Sequence, residues 1–503
     1  MRQLEQIINE GMQFFDNGQY DKAEMIFDRL LAAYPNESEL MGLLGSLYSK
    51  IGKNGAAITI LSRSVEAGMA DNKNNPGFWS NLGAVLKREN HIDEAEAAFQ
   101  QAVTFEPDNV NILANYSGMY INQGCPEKAV ELCRKAIAIH DKAPPLDFIQ
   151  IGSGPAVSSD GSADEMPYQL ARHHLSLALL EQGLWPEAWS LHDARKYTEG
   201  WMRPTYSIPY WKGEQTGTLL IHGEQGIGDE IMYCSLIEKL RSRAKRIVVE
   251  CTTRMLPLFR RTLGLECFPN METIQAIGLK PDHVIAMGSQ PDVLKLERRD
   301  AMSDGYLIPD PVRVDYWRNT LTALAKGKPI VAIAWTGGVH VTHKALRNPP
   351  RDLFKQLDPN KYFLVSVQYT PNAAGQAHQL GAWHCQPAID DLDEQCALIS
   401  ACDILVTVAQ TAMHFAGATR TPCIALIASK PRWDCIGETE HQMPWWSSIK
   451  TIRQRGEDWQ GAFDRLNTEL TTRFASRKAN IGQKASDNTQ EAYHAPQTDR
   501  AAE

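Results

Sequence analysis

The sequence lacks several features that mark specialised classes of protein. No apolar run reaches the roughly 18 residues of a membrane-spanning helix, so we expect no membrane span. The opening residues, MRQLEQIINEG, begin an amphipathic helix without a signal-peptide core, which predicts a cytoplasmic location. Basic residues are not in excess, because 51 Lys and Arg stand against 60 Asp and Glu and give a formal net charge of −9. This balance argues against a general nucleic-acid binder, which usually carries a basic face.

Paired cysteines are missing as well. The ten cysteines are scattered along the chain, and no Cys-x-x-Cys pair occurs among them. We therefore expect reduced, mostly buried thiols and no metal site. A length of 503 residues is too great for one ordinary core and predicts roughly two to four domains. With 43% hydrophobic and 22% charged residues, the composition is typical of a soluble globular protein.

The N-terminal third repeats itself at a spacing of about 34 residues. The recurring positions are Gly11, Phe14, Gly18, Ala23, Phe27 and Pro35, then Gly45, Tyr48, Gly52 and Ala57, then Trp79, Leu82, Gly83, Ala95, Phe99 and Pro107, and then Tyr116, Tyr120, Gly124, Ala129 and Ala136. Small residues at fixed places allow two helices to approach closely, and proline ends the second helix. The pattern resembles the tetratricopeptide repeat, a helix-turn-helix unit that stacks into a solenoid.

These repeats predict an α-solenoid over residues 1–140. A linker rich in Gly, Ser, Pro and Asp is expected at 141–167. A degenerate fifth repeat with capping helices is expected at 168–212, where LLEQGLWPEAW matches the turn and second helix. Solenoids of this kind mostly bind partners on their concave face, although they also serve as rigid braces. The sequence leaves both roles open.

From residue 213 the pattern changes to short apolar strands that alternate with helices. Strands are predicted at TLLIH, RIVVE, HVIAM, PIVAIAW, FLVSVQ, DILVTV and PCIALIA, with YLIPD (Tyr306–Asp310) closing the first half. The first helix is predicted over Asp229–Leu240. Such alternation predicts parallel sheets covered by helices on both faces. We expect two Rossmann-like halves, at 213–325 and 326–475, with ligands beyond the carboxyl ends of the strands. The polar tail at 476–503 is predicted to be disordered.

The loop HGEQGIGDEI follows the first of these strands. Gly226 and Gly228 let the backbone approach a ligand, and the next helix presents its N-terminus to an anion. The loop lacks the Gly-Lys-Ser/Thr of a P-loop and does not complete G-x-G-x-x-G. Asp229 would repel a pyrophosphate there and is equally explained as a helix cap. Glu250 ends the next strand, where the acid of a dinucleotide site would lie. An NAD-dependent enzyme is therefore one hypothesis for this half.

Two further loops carry candidate phosphate ligands in the second half. In VTVAQTAMHFAGA a strand ends near Gln410, and Thr411 and His414 lie at the start of the next helix. In AWTGGVHVTHKALRNPP a glycine turn follows Thr336, and Lys344 and Arg347 come after it. Two cations beside such a turn suit a diphosphate, whereas a single lysine there is more often a solvated surface residue.

Together, HGEQGIGDEI, VAIAWTGG…HKALRNPP and LISACDILVTVAQTAMHFAGATRTP resemble the pattern of glycosyltransferase family 9, the heptosyltransferase-like enzymes. Combined with the repeats, they resemble bacterial tetratricopeptide-repeat proteins that carry such a domain at the C-terminus. The resemblance implies an α + α/β architecture in which the solenoid precedes a GT-B fold of two Rossmann-like domains. It also implies that no metal or other cofactor is required.

The resemblance further implies a nucleotide-diphosphate-sugar donor held by the second half and an acceptor, a glycan or a protein, that enters from the first. Asp229 matches the general base of the family. Lys344 or Arg347 matches its phosphate-binding cation, and Thr411 and His414 match its Thr-x-x-His element. Many members carry an Asp shortly after the strand that ends in VTV, where this chain has Ala409 and then Gln410.

Two functions follow from these patterns. The first is sugar transfer from a nucleotide sugar, with the repeats binding the acceptor or a protein partner. The alternative, motivated by Ala409, is a non-catalytic scaffold with a degenerate nucleotide-sugar-binding domain. Three tryptophans, Trp433, Trp445 and Trp446, are expected to pack in the core rather than to stack on a nucleobase.

Overall fold

The computed structural model describes residues 2–142, 165–198, 206–224, 226–338, 347–456 and 458–475. Its contacts divide the chain into two compact units. The first comprises Met1–Thr205 with Gly288–Glu297, and the second comprises Tyr206–Met287 with Arg298–Glu503. Of the linker predicted at 141–167, residues 143–164 lie outside the described residues, whereas 141–142 and 165–167 are helical and not linker. The predicted tail at 476–503 also lies outside the described residues. No helix within the described ranges is long and apolar enough to cross a membrane.

The first unit is helical, and consecutive helices pack in pairs as the repeat pattern predicts. Its helices are α1 (Arg2–Asp16), α2 (Tyr20–Ala33), α3 (Ser38–Lys50), α4 (Asn54–Ala70), α5 (Pro76–Arg88), α6 (Ile92–Phe105), α7 (Val110–Asn122), α8 (Pro126–Lys142), α9 (Glu165–Gln182) and α10 (Trp185–His192). The repeated alanines Ala23, Ala57, Ala95 and Ala129 are all fully buried. At Gly45 an added Cβ would lie only 2.6 Å from Cγ of Leu61, so glycine sets the approach of α3 to α4.

Helices α9 and α10 form the expected fifth pair, and a 3-10 turn over Asp193–Tyr197 follows them. The guanidinium of Arg195 is buried and donates to Oδ1 of Asp193 over 2.8 Å and to Oγ of Ser289 over 3.2 Å. Ser289 belongs to the segment Gly288–Glu297, which contains α14 (Gln290–Leu294). The sequence pattern did not predict that this segment leaves the α/β region and packs with the helical unit.

The second unit contains two parallel sheets. The first has the order β3-β2-β1-β4, from strands β1 (Thr216–His222), β2 (Ala244–Glu250), β3 (Glu266–Phe268) and β4 (His283–Ala286). Its helices are α11 (Ile227–Cys234), α12 (Leu256–Leu263) and α13 (Met271–Ala276), and α15 (Pro311–Ala325) follows the sheet. The first strand lies inside the sheet, beside both β2 and β4, so the chain winds outward in two directions from it.

The second sheet has the order β10-β9-β8-β5-β6-β7 and is also parallel. Its strands are β5 (Ile330–Ala334), β6 (Phe363–Ser366), β7 (Trp383–His384), β8 (Ile404–Val408), β9 (Cys423–Ile427) and β10 (Ile449–Arg453). Its helices are α16 (Ala373–Gln379), α17 (Gln386–Asp390), α18 (Leu392–Ser400), α19 (Thr411–Ala418) and α20 (460–475). Every residue of β5, β8 and β9 is buried, as expected for central strands covered on both faces.

The order of this second sheet places its direction reversal between β5 and β8. In doubly wound sheets the crevice beside such a reversal, at the carboxyl ends of the strands, is where ligands bind. The loops after β5 and β8 flank that crevice. They are two of the three loops in which the sequence predicts binding residues.

Three details of the predicted elements are wrong. The helix expected over Asp229–Leu240 is α11, which ends at Cys234, followed by a 3-10 segment over Ile237–Arg243. The segment Tyr306–Asp310 is not a strand; the N–H groups of Tyr306 and Leu307 instead donate to the carbonyl of Ala418 over 2.8 Å. Three strands, β3, β7 and β10, are missing from the prediction.

Candidate functional site

A cavity of about 300 Å³ lies at the carboxyl ends of the strands in the second unit. It is lined by residues from the loop after β1, the loop after β5, the loop after β8 and the segment after β9. Of the predicted site residues, the structure brings together at this cavity Gly226, Gly228, Asp229, Arg347, Gln410, Thr411 and His414. Thr336 does not line it, and Lys344 lies outside the described residues.

The loop after β1 supplies one helix N-terminus to the cavity. Gly226 is the N-cap of α11, and its N–H donates to Oδ2 of Asp229 over 3.1 Å. Asp229 therefore caps its helix, as one reading of the sequence anticipated, and it also lines the cavity. Burial raises the pKa of Asp229 above its ordinary value, while the positive charge of Arg432 opposes that rise.

The loop after β8 supplies a second helix N-terminus. Gln410 is the N-cap of α19 and Thr411 is its first residue. The side chain of Gln410 donates from Nε2 to Oγ1 of Thr407 over 3.1 Å. Its Oε1 is buried and has no hydrogen-bond partner among the residues that the structure describes. The N-termini of α11 and α19 thus face the same space, and both favour a negatively charged group there.

His414 lies one turn into α19 and is 5% exposed. Burial lowers its pKa to about 4; the carboxylate of Asp434 opposes this shift, and the charge of Arg432 adds to it. The imidazole is therefore neutral near pH 7. Its Nδ1 accepts a hydrogen bond of 3.2 Å from Nε1 of Trp446.

Arg432 and Asp434 were not predicted as site residues, and both line the cavity. They lie in the segment KPRWDC that follows β9. Arg432 donates two hydrogen bonds to Asp434, from Nε to Oδ1 over 2.9 Å and from Nη2 to Oδ2 over 2.6 Å. Asp434 is almost fully buried, whereas 40% of the Arg432 side chain is exposed. The only signal in the sequence is an arginine and an aspartate two residues apart beyond the carboxyl end of an apolar strand.

Gln368, which does not line the cavity, holds the loop after β5 in place. Oε1 of Gln368 accepts from the N–H groups of Trp335 and Thr336 over 2.9 and 3.1 Å, and its Nε2 donates to the carbonyl of Thr336 over 2.9 Å. Gln368 thus holds the backbone of Thr336, and Thr336 is not among the residues that line the cavity. An added Cβ on Gly337 would lie 2.6 Å from Cβ of Gln410, so glycine allows the two loops to meet.

The acid that motivated a dinucleotide site lies elsewhere. Oε2 of Glu250 accepts a hydrogen bond of 2.9 Å from the hydroxyl of Tyr206, and Glu250 is not among the residues that line the cavity. Glu250 is thus hydrogen-bonded to Tyr206, and an NAD site in the first half stays a hypothesis.

The three tryptophans are buried, with exposed fractions of 8% for Trp433 and 0% for Trp445 and Trp446. They pack in the core, as expected, and none is among the residues lining the cavity. Within the described ranges, no group of three or more His, Cys, Asp or Glu is placed to hold a metal ion.

Comparison with known proteins identifies repeats in the N-terminal part of the helical unit. Residues 14–73 and 81–144 match models of the tetratricopeptide repeat. The N-terminal helices are tetratricopeptide repeats. Similar solved structures include MamA, at 21% identity and a TM-score of 0.28 over 37% of this chain and 93% of that one. They also include the tetratricopeptide-repeat protein TTC0263 of Thermus thermophilus, at 17% identity and a TM-score of 0.29 over 39% of this chain and 91% of that one.

One curated relative matches both units. Protein FlbA of Caulobacter vibrioides is 25% identical over 494 residues, which cover 90% of this chain and 76% of FlbA. Protein O-mannosyl-transferase TMTC1 of Mus musculus is 28% identical over 107 residues, or 21% of this chain and 11% of that protein. Cellulose synthase operon protein C of Pseudomonas fluorescens is 27% identical over 128 residues, or 25% of this chain and 10% of that protein. The chain thus spans about a tenth of the last two relatives.

Proposed function

We propose that the α/β unit is a glycosyltransferase of the GT-B type, similar to family 9, that takes a nucleotide-diphosphate-sugar donor. In this proposal residues 213–325 form the acceptor half and residues 326–475 form the donor half. The single observation that carries it is the cavity, where two helix N-termini, a neutral histidine and two arginines lie around one space.

The lining suits a diphosphate group. Arg347 and Arg432 both line the cavity, and they supply fixed positive charge at any physiological pH. The N-termini of α11 and α19 add backbone N–H groups and favourable dipoles. Asp434 neutralises part of the positive charge at the cavity, because it pairs with Arg432 and also interacts electrostatically with Arg347. Such groups stabilise the charge that develops on a leaving diphosphate.

Asp229 is the proposed general base. In the transfer step the bond between the anomeric carbon and the diphosphate oxygen breaks, and a bond from the acceptor oxygen to that carbon forms. The acceptor hydroxyl loses its proton to the carboxylate of Asp229, and the nucleoside diphosphate leaves with the bonding electrons. A raised pKa makes the carboxylate a better proton acceptor than an ordinary aspartate.

The repeats are proposed to bind the acceptor, a glycan or a protein, or another protein partner on their concave face. In this arrangement residues 1–140 recognise the partner, and the capping helices within 168–212 connect them to the transferase. The match to an O-mannosyl-transferase is compatible with sugar transfer, but it covers too little of that protein to carry the proposal.

The donor site is tested by the binding of nucleoside diphosphates to the full chain. We expect isothermal titration calorimetry to detect binding of at least one of UDP, GDP, ADP, CDP and dTDP, both with Mg²⁺ and with a chelator. Arg347→Ala should weaken that binding at least roughly tenfold, because it removes a charged hydrogen-bond donor. The control Arg241→Ala changes an arginine paired with Glu238 away from the cavity and should leave binding unchanged. Failure of every nucleotide to bind would contradict the proposal.

The base is tested by turnover. With a nucleotide sugar that binds, we expect donor hydrolysis or transfer, followed by release of the nucleoside diphosphate. Asp229→Asn keeps an oxygen that can accept from Gly226 but cannot take a proton at neutral pH, so turnover should fall at least roughly a hundredfold while donor binding persists. The control Asp352→Asn alters an exposed aspartate paired with Lys355. Unchanged turnover in Asp229→Asn would refute the assigned base.

A second candidate function is a scaffold whose α/β unit binds a nucleotide sugar without transferring it. Ala409 stands where the resemblance implies an aspartate. The side-chain oxygen of the neighbouring Gln410 is buried at the cavity and has no hydrogen-bond partner within the described ranges. Tight donor binding without hydrolysis or transfer across a panel of nucleotide sugars and acceptors would favour the scaffold over the enzyme.

A further inference from the structure

One contact determines which nitrogen of His414 carries a proton. Nε1 of Trp446 lies 3.2 Å from Nδ1 of His414, and the indole is fully buried. An indole N–H can only donate a hydrogen bond, so Nδ1 must accept through its lone pair. A neutral imidazole then carries its proton on Nε2. The contact therefore requires the Nε2–H tautomer.

The protonated nitrogen lies on the side of the ring that meets the loop after β1. A Cβ added to Gly228 would lie 3.1 Å from Cδ2 and 3.7 Å from Nε2 of His414, and 3.7 Å from Oγ1 of Thr411. Nε2 has no hydrogen-bond partner within the part of the chain that the structure describes, and His414 lines the cavity. Its N–H is thus available between the N-termini of α11 and α19.

The indole itself is held from two sides. A Cβ on Gly417 would lie 2.5 Å from Cδ1 of Trp446, so the ring packs directly against the backbone of α19. On the other side Tyr306 stacks on Trp446 at a centroid distance of 6.3 Å and an interplanar angle of 16°. The hydroxyl of Tyr306 donates to the carbonyl of Ile231 in α11 over 2.8 Å. This packing keeps the indole N–H directed at Nδ1.

We propose that Trp446 is a positioning residue, which fixes His414 in the tautomer that donates a hydrogen bond from Nε2 to a phosphate oxygen in the cavity. The identity of that ligand rests on the proposed function. The opposite tautomer would direct a lone pair at the phosphate and repel it. Because the imidazole is neutral near pH 7, the tautomer rather than a positive charge decides whether His414 attracts or repels the anion.

The tautomer is measured directly in the full chain without ligand. Nitrogen-15 NMR of protein labelled at histidine distinguishes protonated from unprotonated ring nitrogens, and comparison with His414→Gln assigns the signals. At pH 7 we expect an unprotonated Nδ1 and a protonated Nε2 in His414. A proton on Nδ1, or an equal mixture, would overturn the inference. This measurement does not depend on the folding of any variant at Trp446.

The role of Trp446 is tested by replacing the indole N–H with sulfur. Trp446→3-benzothienylalanine keeps the shape of the side chain and removes the donor, so an Nδ1–H form of His414 should appear. The dissociation constant for inorganic pyrophosphate should rise roughly three- to tenfold, because part of the population now repels the anion. Trp445→3-benzothienylalanine is the matched control, since Trp445 is equally buried and contacts the rings of Tyr233 and Trp433. An unchanged tautomer in a folded Trp446 variant would overturn the assignment.

The two proposals fail separately in these experiments. If the tautomer responds to the loss of the indole N–H but neither pyrophosphate nor any nucleoside diphosphate binds, Trp446 is the positioning residue and the proposed donor site is wrong. If nucleotides bind but His414 carries its proton on Nδ1, the donor site stands and the role of Trp446 is wrong.

Discussion

Arg432 meets Asp434 through two parallel hydrogen bonds at the edge of the cavity, of 2.9 Å from Nε and 2.6 Å from Nη2. The carboxylate is buried and the guanidinium is partly exposed. The charge of Arg432 lowers the pKa of Asp434 below its ordinary value against the opposing effect of burial, so the pair is ionised at neutral pH. One side of the guanidinium is thereby fixed, and its orientation at the cavity is set by Asp434.

Replacing Asp434 should therefore affect both stability and anion binding. Asp434→Asn removes the charge and one of the two bonds, and it leaves Arg432 without its counter-charge. Breaking a buried ion pair costs about 3–5 kcal/mol, and exposure of Arg432 reduces this to about 1–3 kcal/mol. Urea denaturation measures the loss. Asp352→Asn, which alters an exposed pair with Lys355, should change stability little, and an equal loss in both variants would contradict the prediction.

The buried carboxyl group of Glu230 makes the stability of the fold depend on pH. It is 4% exposed, and burial raises its pKa to about 7, although Thr252 donates to the carboxylate from its N–H and over 2.7 Å from its hydroxyl. Because the folded-state pKa exceeds the unfolded value, the folded chain binds the proton more tightly. Its contribution to stability is complete below pH 4.5 and is lost as the pH rises through about 7.

Glu230→Gln should remove that dependence. The variant should gain stability relative to the parent between pH 5 and pH 8 by up to about 3 kcal/mol, which is the free energy that corresponds to this change in pKa. Urea denaturation of both proteins at several pH values measures the difference. Glu238→Gln alters an exposed glutamate in the same region and should show no comparable trend. A difference between Glu230→Gln and the parent that is constant with pH would show that Glu230 does not titrate in this range.

Gly417 should tolerate no side chain. An added Cβ would overlap the indole of Trp446, which is fully buried and stacked on Tyr306, so neither ring has room to move. Gly417→Ala should destabilise the chain by about 1–3 kcal/mol in thermal or urea unfolding. Gly375→Ala is the matched control: it lies in helix α16 with no heavy atom within 4 Å of the new Cβ, and it should stabilise by up to roughly 1 kcal/mol. Equal effects at both positions would refute this packing.

Most of the fold follows from apolar periodicity. The central strands β1, β5, β8 and β9 are built around short apolar runs, and the sequence predicts them close to their observed bounds. The strands that it misses are edge strands. β3 and β7 contain three and two residues, and β10 mixes polar with apolar residues along IKTIR. An edge strand has fewer neighbours to bury it, so its sequence carries a weaker pattern.

The site shows the same division between local and tertiary information. The glycine-rich loops and helix starts at Gly226, Thr411 and His414 are local features, and the structure brings them to one cavity. Thr336 was expected there on equally local grounds. Its backbone is instead held by Gln368, a contact 32 residues distant in sequence that no local pattern reveals. Arg432 was not predicted, because its segment has no glycine turn that would mark it as a ligand-binding loop.

The last prediction concerns the three hydrogen bonds between the side chain of Gln368 and the backbone of Trp335 and Thr336. Gln368 is fully buried, and it satisfies the N–H groups of Trp335 and Thr336 and the carbonyl of Thr336. Gln368→Met keeps the approximate volume and removes all three bonds, leaving backbone polar groups without partners. Each unsatisfied group costs about 1–3 kcal/mol, and water can partly satisfy these groups. We therefore expect the free energy of unfolding to fall by about 3 kcal/mol.

Hydrogen exchange should show which backbone amides lose protection in this variant. The amides of Trp335 and Thr336 should exchange faster in Gln368→Met, while those of β8 on the other side of β5 should not. Because Gly337 follows this backbone and its N–H donates to Oδ1 of Asn348 over 3.0 Å, the loop that carries Arg347 should also loosen, and nucleotide affinity should fall with stability. Gln379→Met, at an exposed position at the end of α16, is the control. If the Gln368 variant is destabilised but its amides at 335 and 336 stay protected, the loss arises from packing in the core rather than from the hydrogen bonds that hold this loop.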